Sequence, residues 1–250
     1  MVAESQLATT TVIVTKTIDE RVYKPFYGRT IDFMQRLLTG KENGVRVDHT
    51  RFLISPKNLA RARLGMINSE PDTKYLNSVY VDTSTAVIKD SKTGRIKYSP
   101  NNILIYTLNP ETRLVKGKGR LIVTPEQYTQ SEGFELTKEQ AERFIEDPFS
   151  QKSLRRRVWE ECFMEGNTQL TIDYIKHVET LTGYKFSQTM GLYMSKKNGL
   201  SLLCVGGVDH NDTSNVDSDN DLCGFGRLVG VAVKPQIVAV KTGIPLEKLI

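Results

Sequence analysis

The chain predicts an α+β fold, a mainly antiparallel β-sheet with an inserted or appended helical block around residues 137–182. Three observations predict it. Runs of β-type residues dominate up to about residue 124, the pattern turns helical at Thr137, and β-type runs return after residue 187. Strands and helices are segregated rather than alternating, which disfavours a doubly wound parallel sheet. At 250 residues the chain can bury a sizeable core, as one large domain or two small ones. Its order divides into a basic β-rich region (1–130), a helical block (131–186) and a closing region (187–250) of hairpin, acidic loop and C-terminal tail. The three also read as one continuous domain.

Each element has a local reason. Thr9–Ile18 is β-branched almost throughout and predicts a strand. Ile31, Phe33, Met34, Leu37 and Leu38 have helical spacing over Thr30–Leu38, and Gly40 stops the run. Arg51–Ile54 is a short strand. Ser55 then caps a helix with Pro56 at its first position and Leu59, Ala60, Leu64 and Ile67 inside. Val79–Lys89 and Arg95–Tyr98 flank a short turn in which Gly94 supplies the left-handed position. Asn102–Thr107 predicts an apolar strand, and Arg113–Val123 another, interrupted by Gly117 and Gly119.

Thr137 and Gln140 form a capping box, and Pro148 ends the helix that it opens. A second helix is expected over Ser150–Glu165. A third is expected over Thr168–Leu181, stopped by Gly183. Thr189–Met194 and Leu200–Gly206 predict a hairpin around Asn198-Gly199. Val208–Asp221 reads as an exposed acidic loop, and Gly226–Lys234 as a glycine-rich strand. Met1–Ala8 suits a mobile arm. Pro235–Ile250 has the cadence of a packing or docking tail.

Composition excludes several classes. No segment approaches the ~18 consecutive apolar residues of a membrane span. Met1–Thr11 has neither a basic start nor an apolar stretch, so no signal peptide is expected. Cys162, Cys204 and Cys223 are odd in number and lack metal-ligand spacing. They point away from a disulfide framework or zinc ribbon and toward a reducing, cytoplasmic setting. Nucleophile-elbow, Walker and dinucleotide-binding patterns are missing from the sequence.

Charge is the strongest functional lead. The net charge is +5, but residues 1–130 carry 20 Lys and Arg against 12 Asp and Glu, and the remainder 14 against 17. Cations are densest at Arg113, Lys116, Lys118 and Arg120, beside two glycines that would let a backbone approach a phosphate closely. On one extended strand Lys116, Lys118 and Arg120 would share a face. Arg95 and Lys97 lie on the preceding hairpin, with Tyr98 and Tyr106 nearby as stacking surfaces. These six cations are the candidate phosphate contacts of a non-catalytic nucleic-acid-binding protein, DNA or RNA, that could be a subunit of a nucleoprotein complex. Further basic sets are Lys57, Arg61 and Arg63 on a helix, and the run Arg155–Arg157. Consecutive arginines point around a helix and cannot all meet one ligand.

Two alternatives stand beside this reading. One is a structural or assembly subunit, virion-like or of another multi-protein assembly, with other protein subunits as partners and a homo-oligomer as one form. The other is a metal-dependent hydrolase. Asp217, Asp219 and Asp221 have the alternating spacing of calcium loops, consistent with a weak divalent-cation site, with His210 nearby. Leu222 stands where such a loop needs its glycine, and no other cofactor is implied. The remaining histidines, His49 and His177, belong to no recognisable catalytic spacing.

Overall fold

The computed structural model describes residues 21–28, 41–42, 45–46, 51–102, 104–108, 114–115, 119–209, 212–218, 222 and 227–233. Residues 20–233 form one compact unit, and residues 1–19 with 234–250 belong to a second. The expected strand Thr9–Ile18, the helix Thr30–Leu38, the N-terminal arm and the C-terminal tail lie outside the described residues.

The fold is α+β on a mixed sheet built around β6 (Val81–Lys89). One edge of β6 pairs antiparallel with β12 (Gly199–Val205), from Lys89 opposite Gly199 to Val81 opposite Val205. Its other edge has two partners in succession. β14 (Arg227–Val233) runs parallel to it at Val81 and Asp82, and β7 (Ile96–Pro100) antiparallel from Thr85 to Lys89.

The sheet extends both ways. β14 pairs antiparallel with β1 (Arg21–Gly28) and β4 (Arg51–Leu53), and β1 pairs parallel with β5 (Asn68–Ser69). β12 passes to β13 (Val216–Asp217) and β9 (Arg120–Leu121), both antiparallel. β13 pairs parallel with β11 (Leu192–Tyr193), β9 antiparallel with β8 (Leu114–Val115), and β7 antiparallel with β10 (Phe134–Leu136). A separate small ladder joins β2 (Lys41–Glu42) to β3 (Val45–Arg46).

Side-chain alternation sends the central strands into two cores. Val81, Val87, Leu203 and Val205 face Phe144, Val158, Trp159, Phe163, Tyr174 and Val178 of the helical block. Ala86, Ile88, Leu200 and Leu202 face Leu104, Ile105, Leu108, Leu121 and Tyr128. Both faces are covered, so β6 is buried from Val81 to Ile88 and shows no exposed polar face.

The polar centre of β6 has its own device. The ladder with β12 is irregular between Leu202 and Cys204, which sit opposite Ala86 and Asp82. The extra residues fall on Thr83–Thr85, and the hydroxyls of Thr83 and Ser84 take up part of the lost hydrogen bonding. Thr83 Oγ1 donates to the Leu203 carbonyl at 2.9 Å, and Ser84 Oγ to Asn101 Oδ1 at 2.6 Å. The Ser84 amide donates to the Ile54 carbonyl at 2.9 Å.

Helix starts follow the sequence. Ser55 Oγ caps α1 (Pro56–Arg63), which leads to the short α2 (Thr73–Asn77). Helix α3 is a single turn (Leu104–Thr107), and α4 (Pro125–Gln130) opens on a Thr124–Gln127 capping box. The expected Thr137–Gln140 box opens α5 (Lys138–Glu146). The expected Ser150–Glu165 helix divides into α6 (Lys152–Arg157) and a π-helical turn over Val158–Phe163. Helix α7 (Thr168–Thr182) ends at Gly183 with φ +76°. At the β6–β7 turn Gly94 has φ +71°, the left-handed position expected of it.

Four expectations are corrected. Asn102–Thr107 is not a strand: Asn101 turns the chain at φ +50°, and Asn102 Oδ1 accepts the Leu104 amide at 2.8 Å at the start of α3. Arg113–Val123 is not one strand. Leu114 pairs with Leu121 and Val115 with Arg120, so the chain reverses between them. Thr189–Met194 and Leu200–Gly206 do not form a hairpin, because β11 pairs with β13 and β12 with β6. Gly199 instead lies so close to the Leu121 carbonyl that a Cβ there would come within 2.6 Å of it. Finally, the described part of Val208–Asp221 is folded inward, with Thr213, Ser214, Val216 and Ser218 buried.

Leu203 lies on β12 at the irregular step of its ladder and is fully buried in the helix-facing core. Leu203→Ala should lower unfolding free energy by about 2–5 kcal/mol in urea titrations, and a loss under about 1 kcal/mol would contradict this core assignment.

Candidate functional site

The described members of the predicted basic set are Arg95, Lys97 and Arg120. Arg95 is the exposed one, and it pairs with Glu135 at 2.9 Å. Lys97 is buried. Its ammonium donates to the carbonyls of Tyr128 and Ser131 at 2.9 Å each and lies 4.4 Å from the Tyr128 ring centroid. It thereby closes the C-terminal end of α4, where helical carbonyls lack partners. Arg120 is 1% exposed and donates to Ser201 Oγ and the Ser218 carbonyl, tying β9 to β12 and to the chain after β13. Arg113, Lys116 and Lys118 lie outside the described residues, as does the Tyr106 side chain. Tyr98 is buried edge-on against Phe163, not offered as a stacking platform.

The arginine run divides by position around the helix. Arg155 is fully buried between the rings of Phe149 and Phe186, at 5.6 and 4.7 Å from their centroids. It donates to both residues' carbonyls, and burial draws its guanidinium down to about 10. Arg156 and Arg157 pair one turn on with Glu160 and Glu161, at 4.0 and 2.9 Å.

In the acidic segment, Asp217 sits on β13 opposite Cys204 and beside Tyr193. Asp219, Asp221 and His210 lie outside the described residues. Among the described residues no group of three or more His, Cys, Asp or Glu could hold a metal ion.

A further polar cluster centres on Arg63, which the sequence placed with Lys57 and Arg61 in a basic set and which the structure buries. Arg63, on the inner face of α1, is 1% exposed. Its Nε donates to the Leu76 carbonyl at 3.0 Å, Nη2 to the Val79 carbonyl at 2.9 Å and Nη1 to Tyr174 Oη at 2.8 Å. Tyr174 Oη shares a further hydrogen bond with Ser214 Oγ at 2.8 Å. One cation thus binds α1, the 76–80 segment, α7 and the 207–215 segment together. A signal was present: Arg63 falls three and four residues after Ala60 and Leu59, on the apolar stripe of its helix.

The outer rim of this knot is polar and aromatic. Tyr80 donates to the Asp212 carboxylate, and the Asp209 carboxylate accepts the Asp212 amide at 2.9 Å. His177 Nε2 lies 3.3 Å from Asn77 Oδ1, and its ring stacks on Tyr174. Burial pushes the Asp212 carboxyl up, against the Arg63 charge; burial and the Arg63 charge together push His177 down. Tyr80 is 45% exposed, and Leu181, one helical turn beyond His177, is 43% exposed. Such an arrangement fixes side chains rigidly at a surface. Its donors and acceptors are taken up by one another.

No family model matches the chain, and no curated protein matches it. A solved structure titled for the accommodation of massive sequence variation in Nanoarchaeota by the C-type lectin fold is similar to it. The likeness has a TM-score of 0.45 and 13% identity, and covers 73% of this chain and 87% of that one.

His177 makes stability depend on pH. Its folded value is held below the ordinary 6.5, so the unfolded chain binds that proton first as pH falls. The stability present at neutral pH is therefore lost through 6.5 and below, until the folded ring also protonates. Asp212 acts in the opposite sense, because its folded value is raised. Urea titrations at a series of pH values should show a shallower acid loss in His177→Gln; parallel curves would contradict the assignment.

Proposed function

We propose that the protein is a non-catalytic structural subunit that assembles with other protein chains through exposed apolar side chains on a rigid scaffold. The observation that supports it is the Arg63 knot, which fixes the elements carrying Tyr80 and Leu181 while leaving those side chains 45% and 43% exposed. Side chains already held in place lose little freedom on binding, and large apolar or aromatic residues dominate interface energies. Self-association is the simplest form of this assembly. Light scattering behind size-exclusion chromatography should give a mass above the monomer, lowered to the monomer by Tyr80→Glu with Leu181→Glu. A monomer at every concentration, or an unchanged mass in the double variant, would overturn it.

A second reading, contact with a nucleic-acid backbone, is favoured by the β8–β9 register. Val115 pairs with Arg120, and the sequence between these partners holds two lysines and two glycines. In the sequence Arg113 directly precedes β8, and Arg95 is exposed just before β7. Lys116→Ala with Lys118→Ala should weaken binding to a labelled 30-mer and reduce the log–log salt slope by about 1 per lysine. Unchanged binding would remove this hairpin from consideration.

A further inference from the structure

β1 (Arg21–Gly28) is engaged along one edge by β14, from Val22 opposite Ala232 to Gly28 opposite Arg227. Its other edge is taken at its start. β5 pairs parallel with it at Arg21 and Val22, and the Glu70 amide donates to the Val22 carbonyl at 2.8 Å. From Tyr23 to Gly28 no strand pairs with that edge among the described residues. This stretch amounts to roughly 20 Å of extended backbone. The amides and carbonyls along such an edge are a template for a further strand. Lys24 and Pro25 fall where the β1–β14 register shifts between Tyr23 and Phe26. Lysine and proline at a bulge are residues of a sheet edge rather than of a sheet centre.

The chain holds a segment with the composition to fill this edge. Nine of the ten residues of Thr9–Ile18 are β-branched, Lys16 being the exception, and the run contains neither glycine nor proline. Such a sequence favours extended backbone and has no turn of its own with which to form a hairpin. The run cannot serve β1 of its own copy by the shortest route. Asp19 and Glu20 alone separate it from Arg21. Folding back through that two-residue link would set Ile18 against Arg21 and Thr17 against Val22. Both positions on β1 belong to β5. A run from a second copy meets no such obstacle, because it can begin pairing at Tyr23. Residues 1–19 also belong to a different compact unit from residues 20–233, which hold β1. Strand addition draws its affinity from the main chain, so it makes little demand on the side chains of either partner.

We propose that the Thr9–Ile18 run of one copy adds as a strand to the Tyr23–Gly28 edge of another copy. The inference rests on the assembly reading above and names a main-chain contact that acts together with the Tyr80 and Leu181 side chains, so that loss of either contact lowers the mass. The test is Val12→Pro with Val14→Pro in the full chain, which removes two donors from the run. Its light-scattering mass should fall below that of the unchanged chain. In polarisation titrations the variant should bind a labelled peptide of residues 9–18, because its edge is open, and should not bind the same peptide carrying both prolines. Excess unlabelled peptide should lower the mass of the unchanged chain as well, a measurement that needs no folded variant. A mass that neither the prolines nor the peptide alters, or a well-folded variant that ignores the peptide, would overturn the proposal. So would a monomeric unchanged chain whose proline variant binds the peptide, since the run would then lie on its own copy. If Tyr80→Glu with Leu181→Glu disperses the assembly while the prolines and the peptide leave it intact, this inference fails and the assembly reading stands. A chain that is monomeric at every concentration overturns both.

Discussion

β6 is paired by β12 at both ends of one edge, and its other edge is shared between β14 and β7. Strands from before and after the helical block therefore meet on it. The same pairing sets the two cores, because alternate residues of β6 and β12 enter opposite faces. Asp82–Thr85 would be a liability in an ordinary buried ladder. Here the ladder yields locally, and hydroxyls of Thr83 and Ser84 take over part of its hydrogen bonding. Without this contact neither the helical block nor the Arg63 knot would have a floor to pack against.

Buried cations do much of the joining between elements. Arg63, Lys97, Arg120 and Arg155 all donate to backbone carbonyls, and each links segments distant in sequence. Burying a charge costs several kcal/mol unless its donors are satisfied, so such residues are fixed in place and removing one leaves acceptors bare. The consequence for function is direct. A cation in the sequence is not necessarily a cation on the surface, although Lys74, Lys92, Arg95, Lys138 and Arg143 are among those exposed. The proposed protein partners rest on the fixed aromatic and aliphatic side chains, Tyr80 and Leu181.

Local chemistry was legible in the sequence. Ser55 with Pro56, Thr137 with Gln140, Gly94 and Gly183 all act within a turn of their own position, and each does what its residue type requires. Pairing partners were less legible. Asn198-Gly199 carries a hairpin signal, yet β12 finds β6, more than a hundred residues away, because both strands have side chains to bury on two faces. The acidic segment looked solvated because its composition is polar, and its inward Ser214 and Ser218 find partners distant in sequence, Tyr174 Oη and the Tyr193 carbonyl. For the candidate site, alternation placed Lys97 and Arg120 on strands correctly. It could not reveal that one faces the end of α4 and the other Ser201, since neither partner is near in sequence.

The absorbance ratio at 260 and 280 nm of the full chain, purified without nuclease at low salt, tests the central claim most directly. A protein that acts through protein contacts gives the ratio of pure protein in its assembled fractions. Assembled fractions that carry nucleic acid, released as salt is raised, would contradict the account and return the function to the phosphate backbone.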